Sequence, residues 1–169
     1  MYRSILFVCL GNICRSPTAE GVVRHLADQA AIPISLDSAG TGDWHVGEPP
    51  YGPMQRAARL RGYDLSHLRA RQFTEQDFYD FDLIIGMDGS NIENIERLRP
   101  AGVHTPVRSM LSFHQDTDLE DVPDPYYTRE YNLVIDLVEA AGHALIAATA
   151  SRSEPFPQPS RQASSGQSR

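Results

Sequence analysis

The chain has 169 residues, of which 41% are hydrophobic and 22% are charged, a length and balance that predict one globular domain around a single core. The formal net charge of -7 argues against a protein that binds nucleic acid or an anionic membrane, because such binding needs a basic surface. The sequence has no Lys, which excludes Schiff-base chemistry and lysine-dependent nucleotide loops, so an anion site must use Arg, backbone N–H groups or a metal.

The first thirty residues have the pattern of a strand, a tight loop and a helix. Residues 5–8 form a continuous apolar run, which predicts a buried strand. A glycine and an asparagine interrupt the run. Ser16 followed by Pro17 then predicts a helix N-cap with proline at the first helical position. Apolar side chains at helical spacing continue this helix over residues 19–31.

Strands and helices continue to alternate along the rest of the chain. Three further strands are predicted, at residues 34–38, 82–87 and 107–110. Four further helices are predicted, over residues 54–61, shortly after Thr74, from an Asp88 cap to about residue 98, and from a Thr128 cap onward. A loop rich in Gly and Pro spans residues 40–53, and a polar loop spans residues 112–127.

This alternation predicts an α/β fold, a three-layer sandwich around a four-stranded parallel sheet. Active sites in such folds lie at the carboxyl ends of the strands, so we expect a phosphate-binding loop between the first strand and the first helix. Residues 151–169 are mostly Ser, Gln, Pro and Arg, with almost nothing to bury. We therefore expect a domain over residues 1–150 and a disordered tail after it.

Cys9 and Arg15 occupy this first loop, with five residues between them. A strand that ends in a tight turn before a helix directs several backbone N–H groups towards one point, which makes an anion site. The same donors stabilise a thiolate, and the Arg15 guanidinium can bind two phosphoryl oxygens at once. The alternative is a structural cysteine next to an exposed arginine.

Asp124 lies between Pro123 and Pro125 and precedes two tyrosines. A thiolate that attacks a phosphate ester needs an acid to protonate the leaving group. Prolines on both sides restrict the backbone, so this carboxyl would be held stiffly. Considered alone, however, an Asp between prolines is also typical of an ordinary loop.

Together, three segments resemble the low-molecular-weight protein tyrosine phosphatases. They are residues 8–17 (VCLGNICRSP), 37–41 (DSAGT) and 124–127 (DPYY), and the resemblance covers residues 3 to about 148. It implies that Cys9 forms a cysteinyl-phosphate while Arg15 binds the phosphate. It also implies that Asp124 protonates the leaving phenol and then activates water. No metal or other cofactor is implied, and the six histidines show no metal-ligand spacing.

The resemblance assigns roles to further residues of the loop and its support. Ser16 is implied to hydrogen-bond the Cys9 thiolate. Asn12 and Ser38 are implied to hold the shape of the loop, and His67 to join them. The resemblance also implies that the residues between Cys9 and Arg15, and the serine after Arg15, contact the phosphate. These residues are Leu10, Gly11, Asn12, Ile13, Cys14 and Ser16.

Three aromatic residues, Trp44, Tyr126 and Tyr127, resemble the walls of the slot that holds the phosphotyrosine ring. For Trp44, ordinary packing in a Gly-rich loop explains the residue equally well. Cys14 resembles the second cysteine of the family's loop, which pairs with the nucleophile under oxidation. As an alternative, Cys14 is a small apolar residue that fills space.

Three rival functions are open to a chain with this loop. A thiol-linked arsenate reductase needs further cysteines, and the chain has only Cys9 and Cys14. A protein-arginine phosphatase typically has Thr at the position of Ile13 and lacks the paired tyrosines. A catalytically silent phosphate or phosphopeptide binder would have lost Cys9 or Asp124, and both are present.

The compartment and the partners follow from the cysteines and the resemblance. Two cysteines in one short segment are not a secreted disulfide framework. The apolar run at residues 5–10 is too short for a signal peptide or a membrane span. We therefore expect a cytoplasmic protein without membrane insertion. The implied partner is a phosphotyrosine protein, with a bacterial tyrosine kinase as a candidate.

Overall fold

A computed structural model describes residues 2–151 and contains a four-stranded parallel sheet. The strands are β1 (Ser4–Cys9), β2 (Ser35–Gly40), β3 (Leu83–Gly86) and β4 (Val107–Ser109), in the spatial order β2-β1-β3-β4. The first strand pairs with β2 on one side and with β3 on the other. Its last residue, Cys9, therefore lies in the middle of the carboxyl edge of the sheet.

Helices follow the strands and cover both faces of the sheet. They are α1 (Arg15–Gln29), α2 (Gly52–Leu60), α3 (Asp77–Asp80), α4 (Gly89–Glu96), α5 (Pro125–Thr128) and α6 (Tyr131–Ser151), with a 3-10 turn at Met110–Phe113. Alternate residues of β1 point to opposite faces, as a strand requires. Ile5 and Phe7 pack in the core on the side of α1 and α6, whereas Leu6 and Val8 pack with Phe78 on the other side. The predicted three-layer α/β fold is confirmed.

Two helices, α1 and α6, pack closely against each other on one face of the sheet. Gly142 makes this approach possible, because a Cβ there would lie 3.1 Å from Leu26 and 3.2 Å from Val23. Within residues 2–151, α6 is the one helix long and apolar enough to cross a membrane by length and composition. Half of that apolar stretch is buried inside the protein, as expected for the core helix of an α/β domain.

Several predicted helix boundaries need correction. Ser16 is not an N-cap, because α1 already begins at Arg15 and the Ser16 hydroxyl contacts Cys9 instead. Thr128 does not cap the last helix but ends α5. Arg129, with a φ of 59°, breaks the chain direction before α6 begins at Tyr131. The predicted Asp88 cap of α4 is confirmed.

The predicted tail, residues 151–169, lies outside the described residues except for Ser151, which is the last residue of α6. Its disorder therefore stays a prediction. The predicted polar loop at residues 112–127 is also shorter than expected, because its two ends belong to the 3-10 turn and to α5. Between these two elements the described chain has no helix or strand.

Candidate active site

The Cys9 sulfur lies at the base of a tight loop between β1 and α1. Asn12 in this loop has a φ of 56°, and its backbone N–H donates a hydrogen bond to Cys9 Sγ at 3.3 Å. The Ser16 hydroxyl lies 3.0 Å from the same sulfur. Cys9 is almost completely buried. The loop therefore holds the sulfur in one position and surrounds it with polar groups.

A buried hydrogen-bond network fixes the side chain of Asn12. Its Nδ2 donates to Ser16 Oγ at 2.8 Å and to Ser38 Oγ at 3.0 Å, and its Oδ1 accepts the Arg71 backbone N–H at 3.0 Å. Ser38 in turn donates to Glu20 Oε1 at 2.8 Å. A left-handed conformation is costly for a residue other than glycine, and these contacts offset the cost. The predicted pairing of Asn12 with Ser38 is present in the structure.

His67 is exposed and makes no direct hydrogen bond to Asn12 or Ser38 among the described residues. Its charge nevertheless acts against the raised pKa of Glu20, the carboxyl that accepts the Ser38 hydroxyl. The role of His67 in this network therefore stays a prediction, and the direct partners of Asn12 and Ser38 are other groups. The Arg71 backbone N–H binds the Asn12 carbonyl oxygen, and Glu20 accepts the Ser38 hydroxyl.

Arg71 is itself anchored by two carboxylates. Its Nε lies 3.0 Å from Asp37 Oδ2, and its Nη2 lies 2.9 Å from Asp77 Oδ1. Burial alone would lower the pKa of Arg71, but the hydrogen bonds and charges of Asp77 and Asp37 outweigh it and raise the pKa. The backbone N–H that holds Asn12 therefore comes from a segment with its own ionic support.

Arg15 lies beneath the cavity, with only 3% of its side chain exposed. Its Nη1 donates to Asp88 Oδ2 at 2.6 Å and to the Val122 carbonyl at 3.1 Å. Its Nη2 reaches Asp124 Oδ2 only at 3.4 Å. Burial would lower the pKa of Arg15, but Cys9, Asp88 and Asp124 together raise it. The guanidinium is thus charged, and Nη1 is held more tightly than Nη2.

Asp124 immediately precedes α5 and acts as its N-cap. Its Oδ1 accepts the Tyr126 backbone N–H at 3.1 Å, while its Oδ2 faces Arg15. The carboxyl stays partly exposed, at 25%. A carboxyl held at two points and open to solvent can exchange a proton with a group in the cavity and with water.

A cavity of about 250 Å³ opens above the sulfur. Its lining residues come from the phosphate loop, the loop after β2 and the start of α5, and are Cys9, Leu10, Gly11, Ile13, Cys14, Arg15, Trp44, His45, Asp124, Tyr126 and Tyr127. Asn12 and Ser16, which were expected to contact the phosphate, do not line the cavity; their side chains face away from it and form hydrogen bonds that involve each other and Ser38. The structure thus brings the predicted nucleophile, cation and acid together in one cavity.

Aromatic side chains form the mouth of this cavity. Tyr126 contacts Tyr127 edge to face, with 5.4 Å between ring centroids, and its other neighbour is Tyr51 at 5.5 Å. Trp44 packs over Gly42, where a Cβ would lie 1.9 Å from the indole, and is 69% exposed. Trp44 therefore packs on its own loop and also lines the cavity, and its contact with a phosphotyrosine ring stays a prediction.

Sequence reasoning missed three residues of the site, namely Asp88, His45 and Tyr51. Asp88 was predicted only as a helix cap, yet it also binds Arg15. His45 lines the cavity next to Gly11, and its Nδ1 lies 2.8 Å from Glu48 Oε2. Tyr51 supports Tyr126 from behind. Only the helix-cap pattern of Asp88 left a signal in the sequence.

Cys14 is a buried free thiol in the same loop. Burial, the charge of Cys9 and the charge of Asp124 raise the pKa of Cys14 to about 12, against the lowering effect of Arg15. Cys14 is therefore protonated at neutral pH while Cys9 is unoxidised. In the described residues, no group of three or more His, Cys, Asp or Glu side chains could hold a metal ion.

Glu20 gives the site a testable pH dependence. Burial is the largest influence and raises the pKa of Glu20 above its usual 4.5, although the hydrogen bond from Ser38 lowers it. The folded state then binds a proton more strongly than the unfolded state, so ionisation of Glu20 costs stability as pH rises. We expect the free energy of unfolding of Glu20→Gln to rise relative to that of wild type as pH increases from about 4.5 and passes the raised pKa of Glu20.

Urea unfolding of both proteins from pH 4 to pH 8 measures this difference. Glu75→Gln is the matched control, because Glu75 is exposed and its replacement removes the same charge from the surface. A stability difference between Glu20→Gln and wild type that stays constant, or falls with rising pH, would contradict the expectation.

The chain matches the family described as Low molecular weight phosphotyrosine protein phosphatase over residues 4–154. The low molecular weight protein-tyrosine-phosphatase YfkJ of Bacillus subtilis is 43% identical over 146 residues, which cover 85% of this chain and 94% of YfkJ. PtpA of Staphylococcus saprophyticus, which carries the same family name, is 39% identical over 144 residues, covering 85% and 91%.

Solved structures agree with this relationship. The crystal structure of YfkJ superposes with a TM-score of 0.85 at 41% identity, over 89% of this chain and 96% of YfkJ. The crystal structure of DARP, a Drosophila arginine phosphatase, superposes with a TM-score of 0.80 at 28% identity, over 89% and 99%. The resemblance inferred from the motifs is confirmed, and the chain belongs to the low molecular weight phosphotyrosine protein phosphatase family.

Proposed function

We propose that this phosphatase hydrolyses phosphotyrosine in proteins through a cysteinyl-phosphate, with Cys9 as nucleophile, Arg15 as phosphate clamp and Asp124 as general acid and base. The observation that carries the proposal is that these three side chains line one cavity of about 250 Å³. Family membership supports the reaction class. The geometry of the cavity supports the individual roles.

In the first step, the phosphoryl oxygens bind the backbone N–H groups of the loop and the Arg15 guanidinium. Cys9 Sγ attacks phosphorus, and the bond between phosphorus and the phenolic oxygen breaks as the sulfur–phosphorus bond forms. Asp124 gives its proton to the departing phenolic oxygen, which leaves as neutral phenol. Arg15 Nη2 is better placed than Nη1 to bind phosphate, because Nη1 already donates to Asp88 and Val122 whereas Nη2 makes only the 3.4 Å contact to Asp124 among the described residues.

In the second step, the Asp124 carboxylate takes a proton from water. The water oxygen attacks phosphorus, the sulfur–phosphorus bond breaks, and inorganic phosphate forms. The leaving group is the Cys9 thiolate, and two groups are close enough to stabilise it. They are the Asn12 backbone N–H at 3.3 Å and the Ser16 hydroxyl at 3.0 Å.

The mouth of the cavity supports an aromatic substrate. Trp44, Tyr126 and Tyr127 form an apolar rim above the anion site, where a phosphotyrosine ring can stack. The second candidate is phosphoarginine, because DARP, named as an arginine phosphatase, is similar over 89% of the chain. Ile13 in the cavity lining and the paired tyrosines favour the planar phenol over the guanidine.

The test is hydrolysis of matched peptides that carry phosphotyrosine, phosphoserine or phosphoarginine, with a chelator and a thiol reductant present. Release from phosphotyrosine that depends on Cys9 supports the proposal. Release mainly from phosphoarginine keeps the mechanism and overturns the substrate. No release from any peptide would leave a phosphate-binding protein without catalysis.

Oxidation provides a second role for Cys14. We propose that a peroxide oxidises the Cys9 thiolate to the sulfenic acid and is itself reduced to water or an alcohol, and that this sulfenic acid then condenses with the Cys14 thiol to form a disulfide and water. Both cysteines are free thiols of one loop, which supports the pairing. Burial is the largest cause that raises the pKa of Cys14, and the charge of Cys9 is the second; oxidation of Cys9 removes only this second cause.

We further propose that the protein acts in the cytoplasm on phosphotyrosine proteins, with a bacterial tyrosine kinase as one substrate. Its free cysteines and acidic net charge of -7 support this assignment, and argue against nucleic-acid binding and membrane insertion. YfkJ and PtpA come from bacteria, and this origin supports a bacterial tyrosine kinase as the substrate.

A further inference from the structure

The segment that precedes Asp124 is attached to the rest of the fold at Val122 and Asp121, two and three residues before it. The Val122 backbone N–H donates to the Met87 carbonyl at 2.9 Å, and the Val122 carbonyl accepts Arg15 Nη1 at 3.1 Å. One residue before, Asp121 Oδ1 accepts the Gly89 backbone N–H at 3.0 Å. The carbonyl of Glu120 accepts the hydroxyl of Ser109, the last residue of β4, at 3.3 Å. Residues 114–119, back to the 3-10 turn, contain no helix or strand.

These attachments converge on the start of α4. Asp88, the N-cap of this helix, binds Arg15 at 2.6 Å, and Gly89, the first helical residue, binds Asp121. Asp88 therefore binds the arginine proposed to clamp phosphate, and the next residue, Gly89, binds the segment that carries the proposed general acid. The partial positive charge at a helix N-terminus favours a carboxylate as acceptor, so the Asp121 contact is stronger than one between neutral groups.

The connection from Asp121 to Asp124 is short and stiff. Val122 is buried, with 1% of its surface exposed, and Pro123 restricts the backbone between it and Asp124. Val122 is also held by Met87 and Arg15, so the Asp121 contact is one of three attachments that together set the position of the Asp124 carboxyl. Its loss widens the range of positions that this carboxyl samples. The Asp121 side chain is exposed, so its removal takes nothing from the core.

We propose that Asp121 is a positioning residue for the general acid. By accepting the Gly89 N–H, its carboxylate fixes where Asp124 stands relative to Arg15 and hence to the leaving-group oxygen. This inference rests on the proposed role of Asp124 as the acid. It adds a residue outside the family motif, one that touches neither the substrate nor the reacting atoms.

The test compares Asp121→Ala and Asp121→Asn with wild type on aryl phosphates of increasing leaving-group basicity. We expect Asp121→Ala to lower kcat/KM about tenfold for phenyl phosphate, which needs protonation, and by no more than about twofold for a dinitrophenyl phosphate. Asp121→Asn restores most of the rate, because the amide oxygen still accepts the Gly89 N–H. Inhibition by inorganic phosphate stays unchanged, because Cys9, the loop and Arg15 are untouched.

Asp118→Ala is the matched control, since Asp118 is an exposed carboxylate of the same segment with no hydrogen bond among the described contacts. The positioning role would be overturned if Asp121→Ala lost activity equally for all leaving groups, lost none, or was inhibited more weakly by phosphate.

Asp124→Ala is measured in parallel. If it also shows no dependence on the leaving group, the assignment of the acid fails and this inference with it. If only Asp121→Ala shows none, the proposed function stands without this residue.

Discussion

Replacing Cys9 with serine is expected to lower the turnover of phenyl phosphate at least about a thousandfold while the protein stays folded. Serine keeps the size of the buried side chain and can still contact Ser16 and the Asn12 backbone N–H. It loses the thiolate, and a neutral hydroxyl without an adjacent base is a weak nucleophile. We expect the variant to bind a phosphotyrosine peptide because Arg15 and the loop N–H groups are unchanged.

Two measurements check this result. Calorimetric titration of Cys9→Ser with a phosphotyrosine peptide reports binding, and acid quench of the wild type during turnover, followed by mass spectrometry, reports phosphate on the peptide that contains Cys9. Turnover within about tenfold of wild type, or phosphate trapped on another residue, would place the nucleophile elsewhere.

Removal of the Asp124 carboxyl should produce a loss that depends on the leaving group. For Asp124→Ala we expect kcat/KM for phenyl phosphate to fall by about a hundredfold to a thousandfold, the usual contribution of a positioned general acid. The loss should be much smaller for a dinitrophenyl phosphate, whose phenolate leaves without a proton. A plot of log kcat/KM against leaving-group pKa measures the change in slope.

Asp124→Asn is the control for the structural part of this effect. Asparagine can still accept the Tyr126 N–H that Asp124 binds at 3.1 Å, so α5 keeps its cap, but it cannot donate a carboxylic proton. We expect it to lose as much activity as the alanine variant. An asparagine variant as active as wild type would show that Asp124 acts through the cap alone.

The pattern of the sequence was sufficient for the fold. Apolar runs identified the strands, and Asp88 was recognised as a cap because helix capping is a local property. Cys9 and Arg15 were predicted from the chemistry of the loop, whereas the role of Asp124 was implied by the family resemblance. The structure places them around one cavity, as the resemblance implied.

The errors and omissions have tertiary causes. Ser16 has the local pattern of an N-cap, but the sulfur of Cys9 engages its hydroxyl. The contact of Asp88 with Arg15 joins residues 73 positions apart, and that of Val122 joins residues 107 positions apart. The spacing of apolar residues along the sequence carries no information about contacts between residues this far apart. The Arg71 backbone N–H, which binds Asn12 across 59 positions of the chain, was missed for the same reason.

The ion pair of Arg15 with Asp88 has a consequence for the end of the catalytic cycle. A buried cation without a counter-ion is unfavourable, and a site built on Arg15 alone would retain inorganic phosphate to neutralise it. Asp88 is a permanent counter-ion at 2.6 Å, supplied by the protein and independent of the ligand. The departing product therefore does not leave the Arg15 guanidinium unpaired, and phosphate is not retained to neutralise it.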